Sequence, residues 1–250
     1  MKALAGASAA RPPPQLASAE TRKVTTETME AVMRDLVARN GKFQPVAYTV
    51  HGDSVSLDFD GRRIRDITPL AGLPIRRLVL NHNPVTDLQP LAGLPIQELH
   101  IRNTPVRDLT PLKGMPLRVL GLGPGEYDLT PLAGMPLDQV VFTDVVTESF
   151  KPLRSCPIRL LDFDGRNPDW WKKLGDYENL PEYLPNVTAL TLRALGLDSA
   201  PPALLRLPRL NRVNGTDGSL TGQALQERMD KAMAQKVESR TSGHRGVQRK

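Results

Sequence analysis

Seven apolar–x–apolar pairs recur along the chain at a nearly constant spacing, and this period constrains the fold more than any other feature. The pairs are Leu57/Phe59, Leu78/Leu80, Leu99/Ile101, Leu120/Leu122, Val140/Phe142, Leu161/Phe163 and Leu190/Leu192. Their first residues are separated by 21, 21, 21, 20, 21 and then 29 residues. A fixed period of about 20–29 residues marks a solenoid, in which each coil contributes one strand and stacks on the next. Stacked coils present one long open surface, so the period shifts the functional expectation from catalysis toward binding.

Within one period, Ile75, Leu78, Leu80, Asn83 and Val85 fill every fixed position of the leucine-rich-repeat pattern L-x-x-L-x-L-x-x-N-x-L. The Asn position is occupied by Asn83 once, then by Thr104, Gly125 and Val145. Asn there bonds backbone groups of the turn, so the other turns must satisfy theirs differently. The second half of each coil reads Asp66 to Pro74, Asp87 to Pro95, Asp108 to Pro116 and Asp128 to Pro136. Pro69, Pro90, Pro111 and Pro131 suit the first position of a short helix, with Thr68, Thr110 and Thr130 capping its orphan amides. Gly72, Gly93, Gly114 and Gly134 suit a left-handed C-terminal residue, and the following Pro forces an extended exit. One turn of 3-10 helix is all that fits. The expected fold is an α/β solenoid of leucine-rich-repeat type, right-handed, with one parallel sheet, 3-10 turns on the convex side and helical caps at both ends.

The ends read differently. Residues 1–25 form a tail expected to be disordered, carrying four Lys and Arg against one Glu, net +3. Residues 26–56 form an N-terminal cap: a helix with Met29, Val32, Met33, Leu36 and Val37 at helical spacing, then a hairpin around Gly52-Asp53. Regular repeats span 57–163, an insertion with Trp170, Trp171, Tyr177 and Tyr183 spans 164–186, and the last repeats and cap span 187–216. Residues 217–250 are a C-terminal helix and a basic tail; from 227 onward seven Lys and Arg face three acids. Of the net charge of +6, the tails hold +3 and +4, leaving the repeats near −1. A nucleic-acid-binding domain would concentrate positive charge on its folded face, so nucleic acid is an unlikely partner except through the tails. The single Cys156, assigned to the glycine position before Pro157, excludes an intramolecular disulfide framework and fits a reducing compartment. With no apolar run near a spanning length, a cytoplasmic protein is expected.

The string Asp-Leu-Thr-Pro-Leu-Lys-Gly-Met-Pro-Leu at 108–117 resembles a bacterial leucine-rich-repeat family of the planctomycete type. The resemblance extends over roughly 26–216, from Met29–Met33 and Arg39-Asn40-Gly41 to Leu210–Gly215. Members of that family often follow a serine/threonine kinase domain. The resemblance therefore implies a kinase or its substrate as a partner, and a regulatory or docking role. It implies no catalytic residues. No kinase motif occurs in this chain.

Residues flanking each apolar pair alternate onto the concave face. The candidate partner-binding residues are Arg77, Val79, Asn81, Glu98, His100 and Arg102 there, with Trp170 and Trp171 as a second set. Between them lie Gly121, Gly123 and Val119; at the ends lie Asp58, Asp60, Asp162 and Asp164. The string Leu-Asp-Phe-Asp-Gly-Arg occurs at 57–62 and again at 161–166. With the two copies placed four coils apart, about 19 Å, they cannot share one cation. Gly121-x-Gly123-x-Gly125 leads to no long helix, so it is no phosphate loop. No catalytic, cofactor-binding or metal-ligating set emerges. The chain reads as a non-catalytic protein-interaction scaffold.

Overall fold

The computed structural model describes residues 24–41, 43, 46, 48–164, 176–192, 203–231 and 234. Strands β1 (Tyr48–His51), β2 (Ser54–Asp58), β3 (Ile75–Val79), β4 (Glu98–Ile101), β5 (Val119–Leu122), β6 (Gly125–Glu126), β7 (Gln139–Phe142), β8 (Val145–Val146), β9 (Leu160–Phe163), β10 (Ala189–Leu192), β11 (Arg212–Gly215) and β12 (Gly218–Thr221) follow in chain order. Ten of them form one sheet in the order β1-β2-β3-β4-β5-β7-β9-β10-β11-β12. Every pair from β2 to β11 is parallel, while β1 and β12 close the two edges as antiparallel hairpins. One strand per coil gives a repeat solenoid. The ladder register repeats the sequence period: Leu78 pairs with Leu99, Leu99 with Leu120, Leu120 with Val140 and Val140 with Leu161. Thus the two Leu-Asp-Phe-Asp-Gly-Arg strings lie five ladder steps apart, one more than the sequence count placed between them.

All fourteen residues of the seven apolar pairs are buried. They meet the leucines of the turn segments in one continuous core that also takes in Met29, Val32 and Leu36 of helix α1 (Thr26–Asn40). Asn40 ties that helix to the first coil. Its Oδ1 accepts from the amides of Arg65 and Asp66, and its Nδ2 donates to the carbonyl of Asp66. Leu225, in the helical segment 222–231, reaches the core at the other end.

The turns are 3-10 helices, Thr68–Leu70, Gln89–Leu91, Thr110–Leu112 and Thr130–Leu132. Gly72, Gly93, Gly114 and Gly134 follow them with φ of 73–74°, where a side chain would be strained. The capping group differs from the sequence expectation. The threonines stand inside the turn, and the acid two residues earlier caps it. Asp66, Asp87, Asp108 and Asp128 each accept the amide two residues on at 2.8 Å. An Asp side chain reaches that amide without leaving its own backbone region, as in an Asx turn.

Three further features depart from the sequence reading. A second, two-stranded parallel sheet pairs β6 with β8, so the coils form two sheets rather than one. The residue at the glycine position of the fifth turn is Ser155, whose Oγ accepts the amide of Gly134. Cys156 instead takes the apolar position of Leu73, Leu94, Met115 and Met135, all bonded back to the residue three before. Finally, β9 and β10 pair directly in register, Leu161 with Leu190, so the insertion loops out without breaking the ladder. Its described part runs from a 3-10 turn at Tyr177–Asn179 into α2 (Leu180–Tyr183).

Candidate functional site

The open face of the sheet is set by strand alternation: Leu78 and Leu80 point to the core, so Arg77 and Val79 point away from it. Parallel pairing then assembles rows across the strands. One row runs Arg77, Glu98, Val119, Gln139, Leu160; the next runs Asp58, Val79, His100, Gly121, Val141, Asp162.

In the first row Arg77 Nε donates to Glu98 Oε1 at 2.9 Å, and its guanidinium also lies 3.9 Å from Asp58. The same Glu98 oxygen meets His100 Nε2 at 2.9 Å. Partial burial pushes the Glu98 carboxyl up, but the hydrogen bonds from His100 and Arg77 outweigh it and hold the group below the usual carboxylate range. The His100 ring lies on Gly121. A Cβ at Gly121 would fall 2.6 Å from His100 Nδ1, and this nitrogen is buried with no hydrogen-bond partner.

Arg102 extends across the face to Asp164, Nη1 to Oδ2 at 3.4 Å. It starts beside β4 and ends beside β9. A Cβ at Gly123 would lie 2.2 Å from the Asn103 amide nitrogen, inside the neighbouring backbone. The two glycines thus do opposite jobs: Gly121 seats a side chain, and Gly123 lets two coils approach. Farther along, Gln139 Nε2 donates to Asp162 at 3.4 Å. On the strand-exit edge, Asp60 bonds His82 at 2.8 Å and His82 bonds Asn103 at 2.9 Å.

The structure therefore brings Arg77, Glu98, His100 and Arg102 onto one face, the first three joined through Glu98 and Arg102 paired separately with Asp164. It does not expose the other two. Val79 is 4% exposed, with Asp58 and His100 beside it in its row. Asn81 is also 4% exposed, and its Oδ1 accepts the Arg102 amide at 2.9 Å. Alternation predicts which way these residues point but not that their neighbours cover them. Trp170 and Trp171 lie outside the described residues, as do the basic segments 1–23 and 235–250. Asp164 and Gly121 were placed on this face by the sequence but left out of its partner-binding set, since pairing across the face and the seating of the His100 ring are tertiary facts. The signal for the His100 seat was Gly121 at a position where other strands carry side chains.

The chemistry available is recognition by hydrogen bonds and ion pairs. Among the described residues no group of three His, Cys, Asp or Glu could hold a metal ion. The Cys156 thiol is buried, donates to the Leu132 carbonyl at 3.2 Å, and is pushed up by that burial, away from the reactive thiolate. No described helix is long and apolar enough to cross a membrane.

No protein-family model matches the chain, and neither does any curated protein. Among solved structures, an internalin (InlF) of Listeria monocytogenes is similar at 21% sequence identity and a TM-score of 0.42. That likeness covers 60% of this chain and 51% of the internalin, so the chain spans about half the length of that protein.

Proposed function

We propose that this chain is a non-catalytic interaction module that binds a protein partner on the open, concave face of its sheet. The binding unit is the repeat domain from 26 to 216, extended to about 231 by the helix that buries Leu225. Its coils are taken as right-handed, the sense that parallel crossovers adopt almost without exception.

The observation that carries this reading is the Arg77–Glu98–His100 network with Arg102–Asp164 beside it. The side chains hold one another in place on the sheet while the arginines and carboxylates stay about one-third exposed, with Arg77 at 39% and Arg102 at 31%. Pre-ordered side chains lose less entropy when a partner docks, so such an array is a better interface than a set of free ones. The charges neutralise one another locally. Recognition then rests on hydrogen-bond geometry and shape, with a mild salt dependence. Nothing on this face favours a kinase over another protein as the partner.

Charge reversal tests the reading. The full chain and its Arg77→Glu/Arg102→Glu variant are used to capture proteins from the source cell's lysate, beside Arg34→Glu/Arg154→Glu, which carries the same charge change away from the face. The expected result is a protein retained by the parent and the control but lost by the face variant, with circular dichroism unchanged. Equal retention by all three would rule the face out.

A further inference from the structure

Along the edge where strands begin runs a separate row: Arg76, the second residue of β3, then Gln97, Arg118, Asp138 and Arg159, each one residue before its strand, joined by backbone bonds from each coil to the last. This rim adjoins the network described above and shares one concavity with Arg77 and Glu98, but none of its own five side chains belongs to that network. Arg76, Arg77, Arg118, Gln97, Glu98 and Val119, with His51 and Ser56, line a concavity of about 320 Å³. Its charge is positive. Glu98 is held by Arg77 and His100, and Asp138 is held by both Nε and Nη2 of Arg159. Arg76 finds only the neutral Gln97 Oε1, at 3.2 Å, and Arg118 makes no side-chain hydrogen bond among the described residues, although its charge acts on the Asp138 carboxyl already held by Arg159. Both arginines are exposed. Gln97 lies between them in the row, and half-buried Val119 follows Arg118 on β5.

We propose that this rim is a docking site for an extended acidic segment of a protein chain, with two carboxylates received by Arg76 and Arg118. The spacing selects the segment. The two arginines stand two ladder steps apart, about 9.6 Å. In a polyproline II chain, residues three apart lie on one side and about 9.3 Å from each other. A Glu-x-x-Glu segment in that conformation sets one carboxylate opposite each guanidinium, which can bind it through two parallel N–H donors. Gln97, between the two arginines, faces the intervening residues, with apolar Val119 next to it in the concavity. The site does not depend on a partner occupying the central network.

The test uses two peptides of equal composition and charge, acetyl-Glu-Pro-Pro-Glu-amide and acetyl-Pro-Glu-Glu-Pro-amide, titrated against the full chain at low salt and followed by backbone amide shifts. The first is expected to bind about threefold or more tighter, with shifts centred on Arg76, Arg118 and Val119. Arg76→Gln/Arg118→Gln is expected to weaken it by about fivefold or more. Arg34→Gln/Arg154→Gln, two exposed arginines elsewhere, should leave it unchanged. Equal binding of the two peptides, equal loss in both variants, or shifts away from the rim would each overturn the proposal. So would tighter binding of a short oligothymidylate at the same residues.

Discussion

The same place in two coils is satisfied in two different ways. In the coil that begins at Ile75, the side chain of Asn83 is buried and makes four hydrogen bonds. Its Oδ1 accepts from the Ile64 amide at 2.8 Å, and its Nδ2 donates to the carbonyls of Phe59, Leu80 and Asn81. Two periods later Gly125 occupies that position and has no side chain to offer. There the backbone itself pairs with the next coil, β6 with β8, and the Tyr127 amide donates to the Val146 carbonyl at 2.9 Å. In the coil between them, Thr104 Oγ1 bonds the Ile101 carbonyl at 2.8 Å. Buried backbone groups must be paired, and the coil accepts a side-chain amide, a hydroxyl or a second ladder as the partner. The amide solution concentrates the bonding in one residue. The ladder solution spreads it over two coils and shortens the coil by one residue.

That contrast can be broken most severely at Asn83. Asn83→Ala leaves the buried Ile64 amide without its partner and takes a donor from the carbonyls of Phe59, Leu80 and Asn81, of which Phe59 and Asn81 keep the Arg62 and Gly61 amides, and should destabilise by about 3 kcal/mol. Chemical denaturation of the variant checks this; a loss below about 1 kcal/mol would mean water replaces the side chain. The corresponding break in the ladder coil is Gly123→Ala. Its Cβ meets backbone rather than a movable side chain, so the coils must separate. Overpacking of this kind is expected to remove about 2–3 kcal/mol and to raise hydrogen exchange at Asn103. Thr104→Val removes one hydroxyl and keeps the shape, with an expected loss of about 1 kcal/mol.

The smallest effect concerns the exposed turn caps. The Asp66, Asp108 and Asp128 carboxyls are held below their ordinary value by hydrogen bonds from the Thr68, Thr110 and Thr130 hydroxyls and amides. A depressed folded-state pKa contributes stability that is present above the unfolded value, near 3.9, and is lost as pH falls through the lower folded values. Melting temperature should therefore be flat above about pH 5 and drop below about pH 4. Replacing all three with Asn, which keeps an acceptor oxygen but cannot titrate, should flatten that drop. An unchanged profile would place the acid sensitivity elsewhere, as at Asp138, which Arg159 holds low.

Most of the fold was legible because a solenoid repeats its local chemistry. The apolar pairs gave every core strand from β2 to β10, and the Gly–x–Pro punctuation located each turn. Two faults came from register within the repeat. Thr68 and its counterparts resemble caps because Thr-Pro is a strong helix-start signal, yet Asp two residues earlier has the better reach. Cys156 was placed one position early because Ser155 replaces the expected glycine. The second sheet left no apolar signature, since it forms from backbone where side chains are missing. The candidate site was legible as a face but not as a network. Sequence identifies Arg102 and Asp164 as charged and outward, but not that the two, 62 residues apart in the chain, meet across the face. Val79 and Asn81 show the converse, outward by alternation and yet covered by their neighbours.

Footprinting of the full chain with its captured partner tests the binding claim most directly. Hydrogen exchange is measured on the free protein and on the complex, peptide by peptide. Protection confined to 77–79 and 98–102, with the turns at 108–116 and 128–136 unaffected, is the result expected. Protection of those turns, or of 222–231, with β3 and β4 unchanged would contradict binding on the open face.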